Sequence, residues 1–149
     1  MPDHQIQTAT AADLDALEEL ERLGFPLDQY SKERLKYLLS QANASSYKIE
    51  EDGKVSAYAM VLWRKGSRAG HLYSIVTHPE AQGRGLGSAL LDALEAEAKE
   101  RGCDRIRLEV RADNDTAIAF YLRRGYVRVK ELPGFYTDDA PGVRMVKRF

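Results

Sequence analysis

Three glycines fall within five residues, Gly83, Gly85 and Gly87, just after a β-prone run from Leu72 to Thr77 and just before a helical run that reaches Arg101. Glycine lets the backbone take left-handed turns and approach a ligand closely, so successive amide N–H groups can be aimed at one point. The start of the helix adds about half a positive charge there. That combination binds phosphate. Spacing excludes two common phosphate loops: a dinucleotide fingerprint needs glycine where Ser88 stands, and a P-loop needs Gly-Lys-Ser or Gly-Lys-Thr, which is absent. A glycine-rich turn that merely joins strand to helix is the alternative. The other reactive residue types are sparse. His4, His71 and His78 have no paired spacing and predict no metal site. His78 beside Pro79 and His71 at a strand start read as structural. Cys103 is the single cysteine, precluding an internal disulfide, and reads as a packing residue behind Gly102.

Elements of both periods must hold this loop in place. Gln5 to Thr8 is a short strand, and Thr10 caps a helix carrying Leu14, Leu17, Leu20 and Leu23 that Gly24 and Pro26 end. A second helix starts near Ser31 and buries Leu35, Leu38 and Leu39. Two β runs, Ser46 to Glu51 and Val55 to Trp63, flank the hairpin signal Asp52-Gly53. After the loop, the helix places Leu86, Ala89, Leu90, Ala93 and Leu94 on one face, with Glu95, Lys99 and Glu100 elsewhere, and stops at Gly102. Arg105 to Arg111 alternates Ile106, Leu108 and Val110 with charged residues, as a half-buried strand does. A strand, helix and strand in this order predict parallel neighbours, with ligands at the strands' C-terminal ends. A helix from Thr116 to Arg124 and a closing β pair, Tyr126 to Leu132 and Val143 to Phe149, complete the chain.

With 149 residues, 44% hydrophobic, the chain predicts one domain over 1–149. A formal charge of −1 gives no case for nucleic-acid binding, yet residues 1 to 53 carry a balance of −6 and the rest +5, so the phosphate loop lies in the positive half. The N-terminal MPDHQIQTAT lacks the apolar core of a signal peptide and no run is long enough to span a bilayer, which predicts a cytoplasmic protein with no membrane partner.

Gln82, Gly85 and Gly87 match, residue for residue, the Gln/Arg-x-x-Gly-x-Gly/Ala signature of the GNAT N-acetyltransferases. A second stretch, from Asn114 through Ala117 and Tyr121 to Gly125-Tyr126, is similar to that family's Asn-x-x-Ala-x-x-x-Tyr-x-x-x-Gly-Phe, and the two motifs occur in the family's order. The resemblance covers the chain from the Asp52-Gly53 hairpin to Tyr136. Within the superfamily, Leu108-Glu109-Val110-Arg111-Ala112-Asp113-Asn114 looks like the ribosomal-protein-alanine N-acetyltransferases. The resemblance implies an α/β (α+β) GNAT fold: a central mixed, mostly antiparallel sheet with a parallel pair at the cofactor cleft and helices on both faces. It also implies that Gln82, Gly83, Arg84, Gly85, Leu86, Gly87 and Ser88 hold the pyrophosphate of acetyl-coenzyme A, that Ile75, Val76 and Thr77 offer backbone groups to its pantetheine and thioester, and that Asn114 contacts it.

By the same resemblance Glu109 is the general base and Tyr121 the general acid. The chemistry is consistent with those roles. A protein α-amine has a pKa near 8 and attacks only when unprotonated, so it needs a base; the departing thiolate has an intrinsic pKa of about 8.5, and a phenol can serve it. Glu109 in a cross-strand ion pair and Tyr121 as a packed core aromatic are the alternative readings. The likeness ends at the acceptor pocket. Where the alanine acetyltransferases carry an arginine pair and Tyr-Tyr, this chain has Leu132-Pro133-Gly134-Phe135-Tyr136, so Phe135 and Tyr136, with Phe25 and Tyr30, are candidate contacts for a different amine. The sequence therefore predicts direct acetyl transfer in a ternary complex to a peptide N-terminus or small-molecule amine, by a monomer or homodimer. A catalytically silent acyl-coenzyme A sensor or partner domain is the second hypothesis.

Overall fold

The computed structural model describes residues 5–149. Seven strands form one sheet in the order β1-β2-β3-β4-β5-β7-β6, where β1 is Ile6–Thr8, β2 Ala44–Glu51, β3 Lys54–Leu62, β4 Ala69–Thr77, β5 Arg105–Arg111, β6 Val127–Leu132 and β7 Gly142–Arg148. Every pairing is antiparallel except β4 with β5. The helices are α1 (Leu14–Gly24), α2 (Lys32–Ser40), α3 (Leu86–Glu100) and α4 (Asp115–Arg123).

Local chemistry sets these boundaries. Thr10 and Asp13 form a reciprocal capping box at the turn leading into α1, and the Ser31 hydroxyl accepts from the Arg34 N–H to start α2. Asp52 and Gly53, at φ 53° and 78°, make the tight hairpin between β2 and β3 that the dipeptide predicts. The strand expected to open at Leu72 begins three residues earlier, because Ala69 to His71 pair with Arg105 to Arg107.

Two clusters sandwich the sheet. Leu17 and Leu20 of α1 and Leu38 of α2 pack on Tyr58, Met60 and Val76 on one face. Leu86, Leu90, Leu91 and Leu94 of α3 with Ile118 and Tyr121 of α4 pack on Ile106, Leu108, Val110 and Met145 on the other. Burying each α3 leucine contributes about 1.5–3 kcal/mol. Glu95 corrects the expected polar face of α3. It is buried, accepting from the Tyr126 hydroxyl and Lys147 Nζ, each at 2.9 Å, with the Arg124 guanidinium 3.7 Å away. A helical wheel cannot reveal a carboxylate whose partners arrive from β7 and the α4–β6 turn.

Candidate active site

The parallel strands share only three pairs, Ala69 with Arg105, Gly70 with Ile106 and His71 with Arg107, and then part. A bulge in β4 accompanies the parting: Met60 pairs Ser74 and Val61 pairs Leu72, leaving Tyr73 as an extra residue. The Tyr30 hydroxyl donates to the Tyr73 carbonyl at 3.0 Å, and Ser74 and Tyr58 donate to the buried carboxylate of Glu21, so α1 and the segment after it grip the bulge. Burial raises the Glu21 carboxyl, against the hydrogen bonds from Ser74, Tyr58 and the Tyr30 N–H, which lower it. The splay opens a cleft of about 860 Å³, walled by residues 72–77 on one side and 108–111 on the other.

The glycine loop closes one end of this cleft. Gly83 and Gly85 take φ 81° and 80°, a conformation that disfavours side chains, and Gly85 caps α3 without any side-chain hydrogen bond to the first-turn amides. Uncapped amides at a helix start, beside a β4 edge without a β5 partner, fit a pyrophosphate and an amide-bearing chain such as pantetheine. Gln82, Gly83, Gly85, Leu86, Gly87 and Ser88 line the cleft, as do Ile75, Val76 and Thr77. Arg84 lies outside that lining, ion-paired with Glu51. Asn114 lines it while its side chain accepts from the Ala117 N–H at 3.2 Å, capping α4, and Arg123 adds a cation from that helix.

The other end holds the ionisable groups. Glu109 Oε1 lies 2.7 Å from His71 Nε2, and its Oε2 accepts from Arg107 and Arg144, each at 3.0 Å. Burial alone would raise this carboxyl, but the His71 hydrogen bond and charge, the Arg144 hydrogen bond and the Arg107 charge outweigh it and hold it at about 2. A carboxylate that accepts two guanidinium bonds can only accept from the imidazole, so Nε2 carries a proton whatever the charge of the ring, and in the neutral ring Nδ1 is the acceptor. Across the cleft Tyr121 packs on the rings of Phe120 and Tyr126 at 5.3 and 5.6 Å. Burial, then the Tyr136 charge, raise its phenol, and among the described residues its hydroxyl has no hydrogen-bond partner. The rim is fastened by Arg111, which makes two bonds to Asp28 at 2.5 and 2.8 Å, one to Asp138 at 3.0 Å, and lies 4.6 Å above the Tyr136 ring.

The family model described as the acetyltransferase (GNAT) family matches residues 14–126. The chain belongs to this family. An uncharacterised N-acetyltransferase of Methanocaldococcus jannaschii is 35% identical over 144 residues, covering 96% of this chain and 90% of that one. An N-alpha-acetyltransferase of Sulfurisphaera tokodaii is 29% identical over 147 residues, 91% of this chain and 87% of that one. Among solved structures, the ribosomal-protein-S18-alanine N-acetyltransferase of Escherichia coli superposes with a TM-score of 0.86 at 26% identity, over 98% of this chain and 94% of its own. The protein is thus a GNAT acetyltransferase with that family's mixed sheet and parallel pair.

For this acetyltransferase the cleft brings together Glu109, Tyr121, Asn114 and the loop residues named above, together with Phe25, Tyr30 and Tyr136. It does not gather Arg84 or Phe135; Phe135 is 46% exposed and meets the Tyr136 ring edge-on. His71, which the sequence reads as structural, pairs with Arg107 and so lies beside Glu109. The sequence carries no signal for this, because the register that sets His71 beside the Arg107–Glu109 face is fixed only when β4 and β5 pair. His78 instead accepts from the Glu80 N–H at 3.1 Å and shapes a turn. No group of three metal-ligating side chains forms among the described residues, outside which His4 lies. No described helix is long and apolar enough to cross a membrane.

Proposed function

We propose that this protein transfers the acetyl group of acetyl-coenzyme A directly to a polypeptide N-terminal α-amine, with His71 and Glu109 as the proton-accepting pair and Tyr121 facing the sulfur. The carrying observation is the 2.7 Å contact between His71, in the last rung that joins β4 to β5, and Glu109, which lines the cleft beyond it. Acetyl-coenzyme A supplies the activated acyl group, and the residues of this chain bind, orient and move protons around it. The N-alpha-acetyltransferase among its relatives agrees with an α-amine acceptor.

Glu109 by itself is a poor base. Its carboxyl, at about 2, would take a proton from an ammonium of pKa near 8 only at a cost of about 8 kcal/mol. Its charge is better used to fix the His71 ring and steady the imidazolium that forms when Nδ1 receives the amine's proton, directly or through water. Tyr121 meets a related limit. Its raised phenol is a weaker acid than a thiol, so full transfer to the sulfur is uphill by at least about 2 kcal/mol. Its hydroxyl therefore acts as a hydrogen-bond donor that lowers the charge on the leaving atom while the proton completes its move. The unpaired amides of β4 beyond the bulge supply donors for the acyl oxygen.

Thiol release from acetyl-coenzyme A, with mass spectrometry of the acceptor, should be measured across N-terminal peptides, polyamines, amino acids and aminoglycosides. Peptides acetylated at the α-amine, in preference to the small amines, support the proposal. Tight binding of acetyl-coenzyme A with no acceptor used would instead make the protein a sensor.

A further inference from the structure

On the sheet face that carries Glu109, α1 and α2 cover β3 and β4, while the helices make no comparable packing on β7 and β6. The register of those bare strands sets Arg105 opposite Arg148, Glu109 opposite Arg144, and Lys130 beside Arg144. Arg105, Arg107 and Arg144 keep 33%, 36% and 32% of their side chains exposed, and Lys130 and Arg148 are open to solvent. Arg34 of α2 flanks the same corner, bonded to the Tyr73 hydroxyl at 3.1 and 3.3 Å. The carboxylates facing these cations are Glu109 and Asp104, the latter 2.6 Å from Arg105 and 3.7 Å from Arg68. A cationic strip therefore runs down the sheet from the reacting end of the cleft, in a chain whose formal charge is −1. On the opposite rim Arg111 ties the loop holding Asp28 to the one holding Asp138, while the strip meets Glu109 itself through Arg107 and Arg144, each at 3.0 Å.

We infer that this strip receives the acceptor polypeptide and selects N-termini followed by acidic residues. The inference rests on the N-terminal acceptor reading above. Strand residues two apart are about 6.6–7 Å apart, and an extended peptide advances about 3.3–3.6 Å per residue. With the α-amine at His71 and Glu109, acceptor positions 2 and 3 reach Arg107 and Arg144, and positions 4 and 5 reach Arg105 and Arg148. Exposed charges at such a rim steer and select more than they add affinity, and salt weakens them.

The test uses three peptides with one common first residue and aspartate or glutamate, serine, or lysine at positions 2 to 5. The acidic peptide should exceed the serine peptide in kcat/KM on the order of tenfold, mainly through KM, the scale of a few exposed ion pairs. That advantage should collapse near about 1 M salt, where screening acts within about 3 Å. Arg105→Glu combined with Arg148→Glu should turn the preference toward the lysine peptide, with coenzyme A titration reporting that the variant is folded; Lys130→Glu gives the same sign if the pair fails to fold. Equal use of the acidic and serine peptides, or a lysine preference in the unmodified protein, overturns the strip while leaving N-terminal acetylation standing. An RNA oligonucleotide that outcompetes the acidic peptide at low salt would assign the strip to nucleic acid and overturn it too. If no peptide is acetylated although polyamines are, the acceptor reading fails first and the strip with it.

Discussion

Glu109→Gln keeps the side chain's size and removes only its charge, so both stability and rate should respond electrostatically. The native carboxyl sits at about 2 against an ordinary 4.5, which corresponds to roughly 3 kcal/mol. Because the folded state depresses this pKa, the stabilisation is fully present above about 4.5 and is lost as pH falls through about 2. The variant should therefore melt about 10 °C lower at pH 7, taking about 3 °C per kcal/mol for a chain of this length, and the gap should roughly halve by pH 3. In turnover, kcat/KM should fall about 10²- to 10⁴-fold at pH 7, and the ratio to the unmodified protein should narrow as pH rises past the amine's value near 8, where solvent removes the proton unaided. Calorimetry and thiol-release profiles from pH 6.5 to 9.5 measure both. A ratio that stays flat across that range would refute the proton-accepting role and leave Glu109 as an ion-pair member of β5.

Tyr121→Phe keeps the ring contacts with Phe120 and Tyr126 and should leave coenzyme A affinity and melting temperature almost unchanged, while kcat drops about 10²-fold or more in single-turnover assays. Gly85→Val forces a β-branched residue to φ 80° and sets a side chain before the loop amides, so calorimetric titration should detect no coenzyme A binding by a still-folded protein. Asn114→Ala removes the cap on α4 and should cost about 1 kcal/mol by denaturant titration; Asn114→Asp should restore that stability and, by adding negative charge near the phosphates, still weaken coenzyme A binding.

The loop, the α3 and α4 boundaries and the parallel pair were legible because each depends on neighbours in sequence: glycines at fixed spacing, Asn114 before a helix, Gly102 after one. The ionic state of the site was not. Glu109 acquires its character from His71 one strand away and from Arg144 on β7, thirty-five residues further on, and alternation on β5 alone says only which way its side chain points. Glu21 was equally hidden. On α1 it occupies one more acidic position in a charged segment, and only packing against Tyr58 and Ser74 buries it. Arg84 shows the converse: the motif gives its position but not that its side chain meets Glu51 of the neighbouring hairpin.

The three residue pairs that join β4 to β5 divide the sheet into two plates, β1 to β4 and β5 to β6, meeting along a seam of about 10 Å. Past His71 the strands are held by what surrounds them and not by each other. An amide-bearing ligand lying in the gap supplies rungs that folding leaves out, so cofactor affinity and global stability become one linked quantity. At a hundred times its dissociation constant such a ligand adds about 2.7 kcal/mol. A ligand that bridges the gap therefore ties the two plates together, and its occupancy reads out as a rise in melting temperature.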